Sequence, residues 1–161
     1  MCPLAHSSLI ETIQECGYDL SSFLYRWVLD LSSWQSPFDE VDPRIRVART
    51  TEELEWARTV VAGCADKDEL AEGNGETVAA GTLALNGEIA TLFSTSTLPT
   101  YRKRGLQTAL LDWRLKFAKE QGARIATIET APDSDSQRNV ERMGFRLAYV
   151  TSHLKKTMSS Q

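Results

Sequence analysis

Within residues 77–121 the apolar period changes once, from two to about 3.6. Residues 77–85 and 88–97 read as strands, with Asn86-Gly87 between them as a tight hairpin turn. Pro99 stops the second strand, because proline brings no amide donor to a ladder. A short basic loop follows. A long helix then runs from about Gly105 to Gln121, with Leu106, Leu110, Trp113 and Phe117 on one stripe. A hairpin leading directly into a long amphipathic helix calls for a mixed α/β domain.

The flanking segments fit that class. Residues 8–15 read as a short helix ended by Gly17, and residues 20–29 as a strand rich in aromatic and branched side chains. Residues 32–43 form a polar, proline-bearing linker, and residues 44–49 alternate as a half-buried strand. Thr50 and Glu53 make a capping box that opens a helix to about Cys64, and residues 65–76 read as an acidic loop. After the long helix come a strand at 125–130, a second capping box at Ser134 and Gln137, a short helix ending at Gly144, and a final strand over 145–155. The helix–Gly–strand plan of residues 8–29 repeats in residues 135–156, with Gly17 over Gly144 and Ile13 over Val140. Any helix–Gly–strand unit would share that outline. The organisation expected is an N-terminal helix–strand unit (1–31), a linker (32–43) and the main domain (44–157).

At 161 residues and 42 % apolar content the chain suits one domain with a real core. Arg26 and Asp30 interrupt its most apolar early stretch, so no membrane span is expected. The first residues lack a basic segment followed by an apolar core, so no secretory signal is expected either. Cys2, Cys16 and Cys64 form no C-x-x-C pair, and neither His6 nor His153 has a partner at ligand spacing. The expectation is therefore no metal site, no disulfide framework and a cytoplasmic location.

Charge is unevenly spread on a chain of net charge −4. Residues 39–76 carry eleven acids against five bases, and residues 101–124 carry seven bases against two acids. An acidic protein with one basic patch points to a local anionic ligand and away from nucleic acid. Arg114, Lys116 and Lys119 read as an ordinary solvated helix face. Arg102-Lys103-Arg104-Gly105 differs, because it stands where a loop becomes a helix. A helix N-terminus presents backbone N–H groups and a positive dipole end, and glycine lets an oxyanion come close. The loop is neither a Walker P-loop nor a G-x-G-x-x-G dinucleotide fingerprint. A phosphate- or nucleotide-binding α/β domain of another kind remains open on these residues alone.

Residues 89–111, with the loop Arg102-Lys103-Arg104-Gly105-Leu106-Gln107, resemble the fourth strand, pyrophosphate loop and third helix of the GNAT superfamily of N-acetyltransferases. Residues 136–145 resemble that family's last helix and its Gly-Phe ending. The resemblance covers about residues 44–156. It implies a mixed, mostly antiparallel sheet with helices on both faces. It implies acetyl-CoA as co-substrate, an amine acceptor and direct attack in a ternary complex. The pyrophosphate cradle would be the backbone of Arg102, Lys103, Arg104, Gly105, Leu106, Gln107 and Thr108. The strand end from Thr95 through Thr97 to Leu98 would pair with the pantetheine arm. Asn139 would bond the cofactor, or else cap or pack.

Several positions depart from the family pattern. Gln107 stands where Gly or Ala is usual. Val140 takes the place of the Tyr that protonates the leaving thiolate, and Asp133 that of an Asn. Tyr149, Ser134 and Ser136 are the replacement acids that the resemblance leaves. Glu129 is the first candidate base, against its plainer reading as an exposed strand-end carboxylate. Residues 65–76 have no room for the family's second helix and second strand. The tail-like unit at residues 1–31 resembles the end of a first half in GNAT proteins built from two halves. Two alternatives to an active enzyme stay open: a catalytically weak or inactive acyl-CoA-binding domain, and an interaction domain that dimerises through exposed strand edges.

Overall fold

The computed structural model describes residues 8–45, 47–48 and 77–156. The expected helix at 50–64 and loop at 65–76 lie outside the described residues. The elements in chain order are α1 (Ser8–Glu15), β1 (Tyr18–Asp30), β2 (Ala79–Asn86), β3 (Ile89–Thr97), a 3-10 turn (Pro99–Tyr101), α2 (Leu106–Glu120), β4 (Ile125–Thr130), α3 (Asp135–Arg142) and β5 (Arg146–Lys156). The five strands form one sheet in the order β2-β3-β4-β1-β5. The β2–β3 and β1–β5 pairs are antiparallel, and the β3–β4 pair is parallel. The mixed, mostly antiparallel α/β class is therefore the one expected.

The described residues fall into two compact units, 29–128 and 8–28 with 129–156. In the 29–128 unit, α2 packs against β2 and β3. Its core holds Leu31, Leu92, Leu111 and Leu115, all at most 3 % exposed. In the other unit, Trp27, Val140, Met143 and Phe145 are buried, and the Trp27 indole N–H donates to Thr130 Oγ1 at 2.8 Å. Every residue of α1, by contrast, lies outside the core.

Three local expectations are corrected. The expected strand at 44–49 is absent at residues 44, 45, 47 and 48. Asp42 instead closes a turn, accepting from the Arg44 N–H at 3.0 Å and from the Arg44 Nε–H at 2.9 Å. An aspartate that bonds the backbone two residues on competes directly with an extended strand. The hairpin turn sits one residue later than read. Asn86 pairs with Ile89, and Gly87 takes the positive φ of 57° that the turn demands.

The buried face of α2 is also rotated from the expected stripe. It consists of Leu106, Leu111, Asp112, Arg114, Leu115 and Ala118. Leu110, Trp113 and Phe117 are only half-buried, and the last two stack with ring centroids 5.2 Å apart. Two charged residues belong to the buried face, and a purely apolar count skips them.

Candidate active site

The segment from β3 to α2 lies wholly within the 29–128 unit. β3 pairs with β4 only over residues 89–92 and 125–128. Beyond that point β3 carries a bulge against β2. Ala80 faces Ser96 and Thr82 faces Phe93, so Gly81 stands opposite both Ser94 and Thr95. Ser94 adopts φ 49° there. After the bulge, Thr97 and Leu98 are buried, and the Leu98 N–H donates to Val78 O at 3.0 Å. The buried hydroxyls of Thr95 and Thr97 have no hydrogen-bond partner among the described residues. A buried, unanswered hydroxyl costs free energy unless something else meets it.

The chain then turns twice through left-handed backbone, at Lys103 (φ 61°) and Gly105 (φ 77°). Gly105 caps α2 without any side-chain bond, and a Cβ added to it would meet nothing within 4 Å. Among the described residues, the space beside Gly105 is open. The intrahelical ladder starts with the Ala109 N–H to Gly105 O at 3.0 Å, so the N–H groups of the first turn point out of the helix end. Arg102, Lys103 and Arg104 are all exposed around it. Arg104 lies 4.9 Å from the centre of the Tyr101 ring and donates to Thr100 O at 3.2 Å, and the Arg102 Nε–H donates to Thr97 O at 3.4 Å.

The helix-borne basic residues also make bonds of their own, and the reading as a solvated face is corrected for the buried Arg114. Lys119 donates to Trp34 O at 2.7 Å, and Lys116 to Phe38 O at 3.0 Å. Lys116 also pairs with the buried Asp112 at 2.9 Å, where Ser36 donates at 2.5 Å. Together these bonds strap residues 34–40 along α2. Arg114 is 3 % exposed. Burial lowers its pKa to about 10, so it stays charged at neutral pH. Arg102, Lys103 and Arg104 are the contiguous exposed bases of the patch.

The candidate acid and base groups lie in the other unit. Glu129, near the end of β4, forms an ion pair with Arg26 of β1. Arg26 in turn faces Tyr149 of β5 in the ladder. Cross-strand partners share a face, so Glu129, Arg26 and Tyr149 form one row across three strands. Tyr149 is 44 % exposed. Ser136 sits half-buried in the first turn of α3. Ser134 is occupied as the N-cap, accepting from the Gln137 N–H at 3.1 Å, while the Gln137 side chain accepts from the Asp133 N–H at 2.8 Å. Asn139 is half-buried and accepts from Arg142 at 3.3 Å. Val140 is 1 % exposed, so the position where a tyrosine acid was sought belongs to the core.

A bulged strand that ends in a cationic turn ahead of a helix N-terminus is an arrangement suited to an anionic ligand. The family profile described as Acetyltransferase (GNAT) family matches residues 24–145. The chain belongs to the GNAT acetyltransferase family, an acyltransferase family that uses acetyl-CoA.

No curated protein matches the sequence. Among solved structures, a putative GNAT acetyltransferase from Novosphingobium aromaticivorans superposes with TM-score 0.67 at 18 % identity, covering 88 % of this chain and 69 % of that one. A GCN5-related N-acetyltransferase from Kribbella flavida gives TM-score 0.68 at 19 % identity, covering 95 % and 65 %. Another from Sphaerobacter thermophilus gives 0.70 at 14 % identity, covering 95 % and 57 %. These likenesses establish the fold, and the chain spans between 57 % and 69 % of the three solved chains. Among the described residues, no helix is long and apolar enough to cross a membrane, and no cluster of His, Cys, Asp and Glu could hold a metal ion.

Proposed function

We propose that this chain is an N-acetyltransferase that moves the acetyl group of acetyl-CoA onto a primary amine by direct attack in a ternary complex. The observation that carries the reading is the β3–α2 segment. It combines unanswered hydroxyls at Thr95 and Thr97, a strand end past its β4 ladder, and an open, cationic helix N-terminus at Gly105. The strand end and the helix N-terminus suit two parts of the co-substrate. The loop from Arg102 to Thr108 would cradle the pyrophosphate, and the strand end would pair with the pantetheine arm as an added strand pairs with a sheet edge.

In the reaction the amine nitrogen attacks the thioester carbonyl carbon. The carbonyl oxygen becomes an oxyanion held by a backbone N–H near Leu98, the C–S bond breaks, and the amine proton leaves to a base. A thiol has a pKa of roughly 8.5, so the thiolate departs near neutral pH without a strong acid. That is compatible with valine, and no tyrosine, at position 140. Tyr149 and Ser136 are the remaining proton donors. Glu129 is the proposed base, with its Oε1 paired to Arg26 and its Oε2 the oxygen that would take the proton. Much of the acceleration would then come from positioning.

Thioester consumption across a panel of primary amines tests the reading, and turnover with at least one of them is expected. A second reading rests on the same buried Val140 and on the Arg26–Glu129 pair: an acyl-CoA-binding domain with little or no transfer. Acetyl-CoA binding without turnover on any amine would favour it.

A further inference from the structure

We propose that Arg114 is a positioning residue, which lies flat over Gly81 and holds the β2–β3 bulge in the shape that presents the Thr95–Leu98 strand end to the pantetheine arm. The inference rests on the acetyl-CoA reading above. Arg114 comes from the third turn of α2, and it is buried beside β2. Its Nη1 donates to Thr82 O at 3.0 Å, and its Nε donates to Leu110 O at 3.1 Å in its own helix. One side chain therefore ties the helix that begins at the cationic loop to the strand that faces the bulge.

The contact depends on glycine. A Cβ built on Gly81 would come within 2.8 Å of Arg114 Nη1, 2.9 Å of Cζ and 3.3 Å of Nη2. All three guanidinium atoms cover the same point, so the plane rests on the backbone of residue 81. Gly81 is also the residue that faces Ser94 and Thr95 together. A bulge interrupts the regular ladder and leaves local backbone groups in need of other partners. Arg114 supplies a donor to Thr82 at that interruption. A buried cation bonded to two backbone carbonyls is an expensive choice for a helix–sheet contact. Methionine or leucine would pack there without that cost. What the guanidinium adds is geometry: two directed bonds from one rigid plane.

The placement predicts a selective effect. The strand end past the bulge would meet the pantetheine arm, whereas the loop at 102–108 would meet the phosphates. Disturbing Arg114 therefore weakens ligands that carry the arm and spares those that lack it.

The test is calorimetric titration of the purified chain with acetyl-CoA and with 3′-phospho-ADP, which lacks the arm. Wild type is compared with Arg114→Lys, Arg114→Met and Gly81→Ala, each checked for folding by circular dichroism. The expected result is an acetyl-CoA dissociation constant raised about tenfold, roughly one strand hydrogen bond. The 3′-phospho-ADP constant should change less than about twofold, and Arg114→Lys should be the mildest variant. Where Arg114→Met fails to fold, the conservative Arg114→Lys decides. Equal weakening of both ligands overturns the proposal, since Arg114 would then serve stability alone. Unchanged binding of both overturns it too. Wild type binding neither ligand removes the acetyl-CoA reading itself and the proposal with it.

Discussion

Gly105 and the two hydroxyls before it concentrate the chemistry of the site. Gly105 holds φ 77° in open space, so alanine there meets no obstacle and adds only backbone strain. The expected cost is about 1–2 kcal/mol, read as a lower midpoint in thermal denaturation. Glutamate adds the same strain and also a negative charge at the helix end. Gly105→Glu should abolish acetyl-CoA binding in a titration while leaving circular dichroism close to wild type. Thr97→Val behaves in the opposite way. It removes a buried hydroxyl that has no partner among the described residues, so stability should hold or rise by up to about 1 kcal/mol. Affinity for acetyl-CoA should nevertheless fall severalfold if, as proposed, that hydroxyl meets the ligand. A valine that costs stability without changing affinity would assign Thr97 to the fold instead. These residues were legible in the sequence to different degrees. The loop is contiguous, and a Gly between basic residues and a helix names its own chemistry. The orphaned state of Thr95 and Thr97 depends on what surrounds them in space, and no spacing rule reveals it. The same holds for Arg114, whose burial needs a glycine 33 positions earlier in the chain.

Among elements, those with local punctuation match their expected bounds closely. Helix α1 ends at its glycine, the hairpin turns at Asn86-Gly87 within one residue, and α3 starts after Ser134. Each is decided by a cap or turn that acts over four residues or fewer. The misreadings have two causes, one a local turn and one a set of distant contacts. The alternating 44–49 segment yields to the Asp42 turn, and the face of α2 is set by Arg114 and Asp112 reaching their partners. Asp112 lies buried between Ser36 and Lys116, so Asp112→Ala leaves Lys116 without its anion and loosens residues 34–40 from the helix. A loss of about 2–4 kcal/mol in denaturant unfolding is expected, larger than for an exposed pair. Ser134→Ala removes the α3 cap for about 1 kcal/mol by the same measurement. A larger loss at Ser134 than at Asp112 would reverse the relative importance assigned to cap and strap.

For the whole molecule, the order of hairpin, cationic loop, long helix, strand and Gly-Phe tail carries the family assignment, and the matched profile covers residues 24–145. The central claim is that this chain binds acetyl-CoA through the β3–α2 segment. The most direct measurement is thermal stability with acetyl-CoA, with ATP and with no ligand, on wild type and Gly105→Glu. At a hundred times its dissociation constant, a ligand adds ~2.7 kcal/mol. For a chain of this size that raises the midpoint by about 5–11 °C. A rise of that order is expected with acetyl-CoA on wild type, little with ATP, and none on Gly105→Glu. An equal rise with ATP, or a rise that survives Gly105→Glu, would contradict that claim.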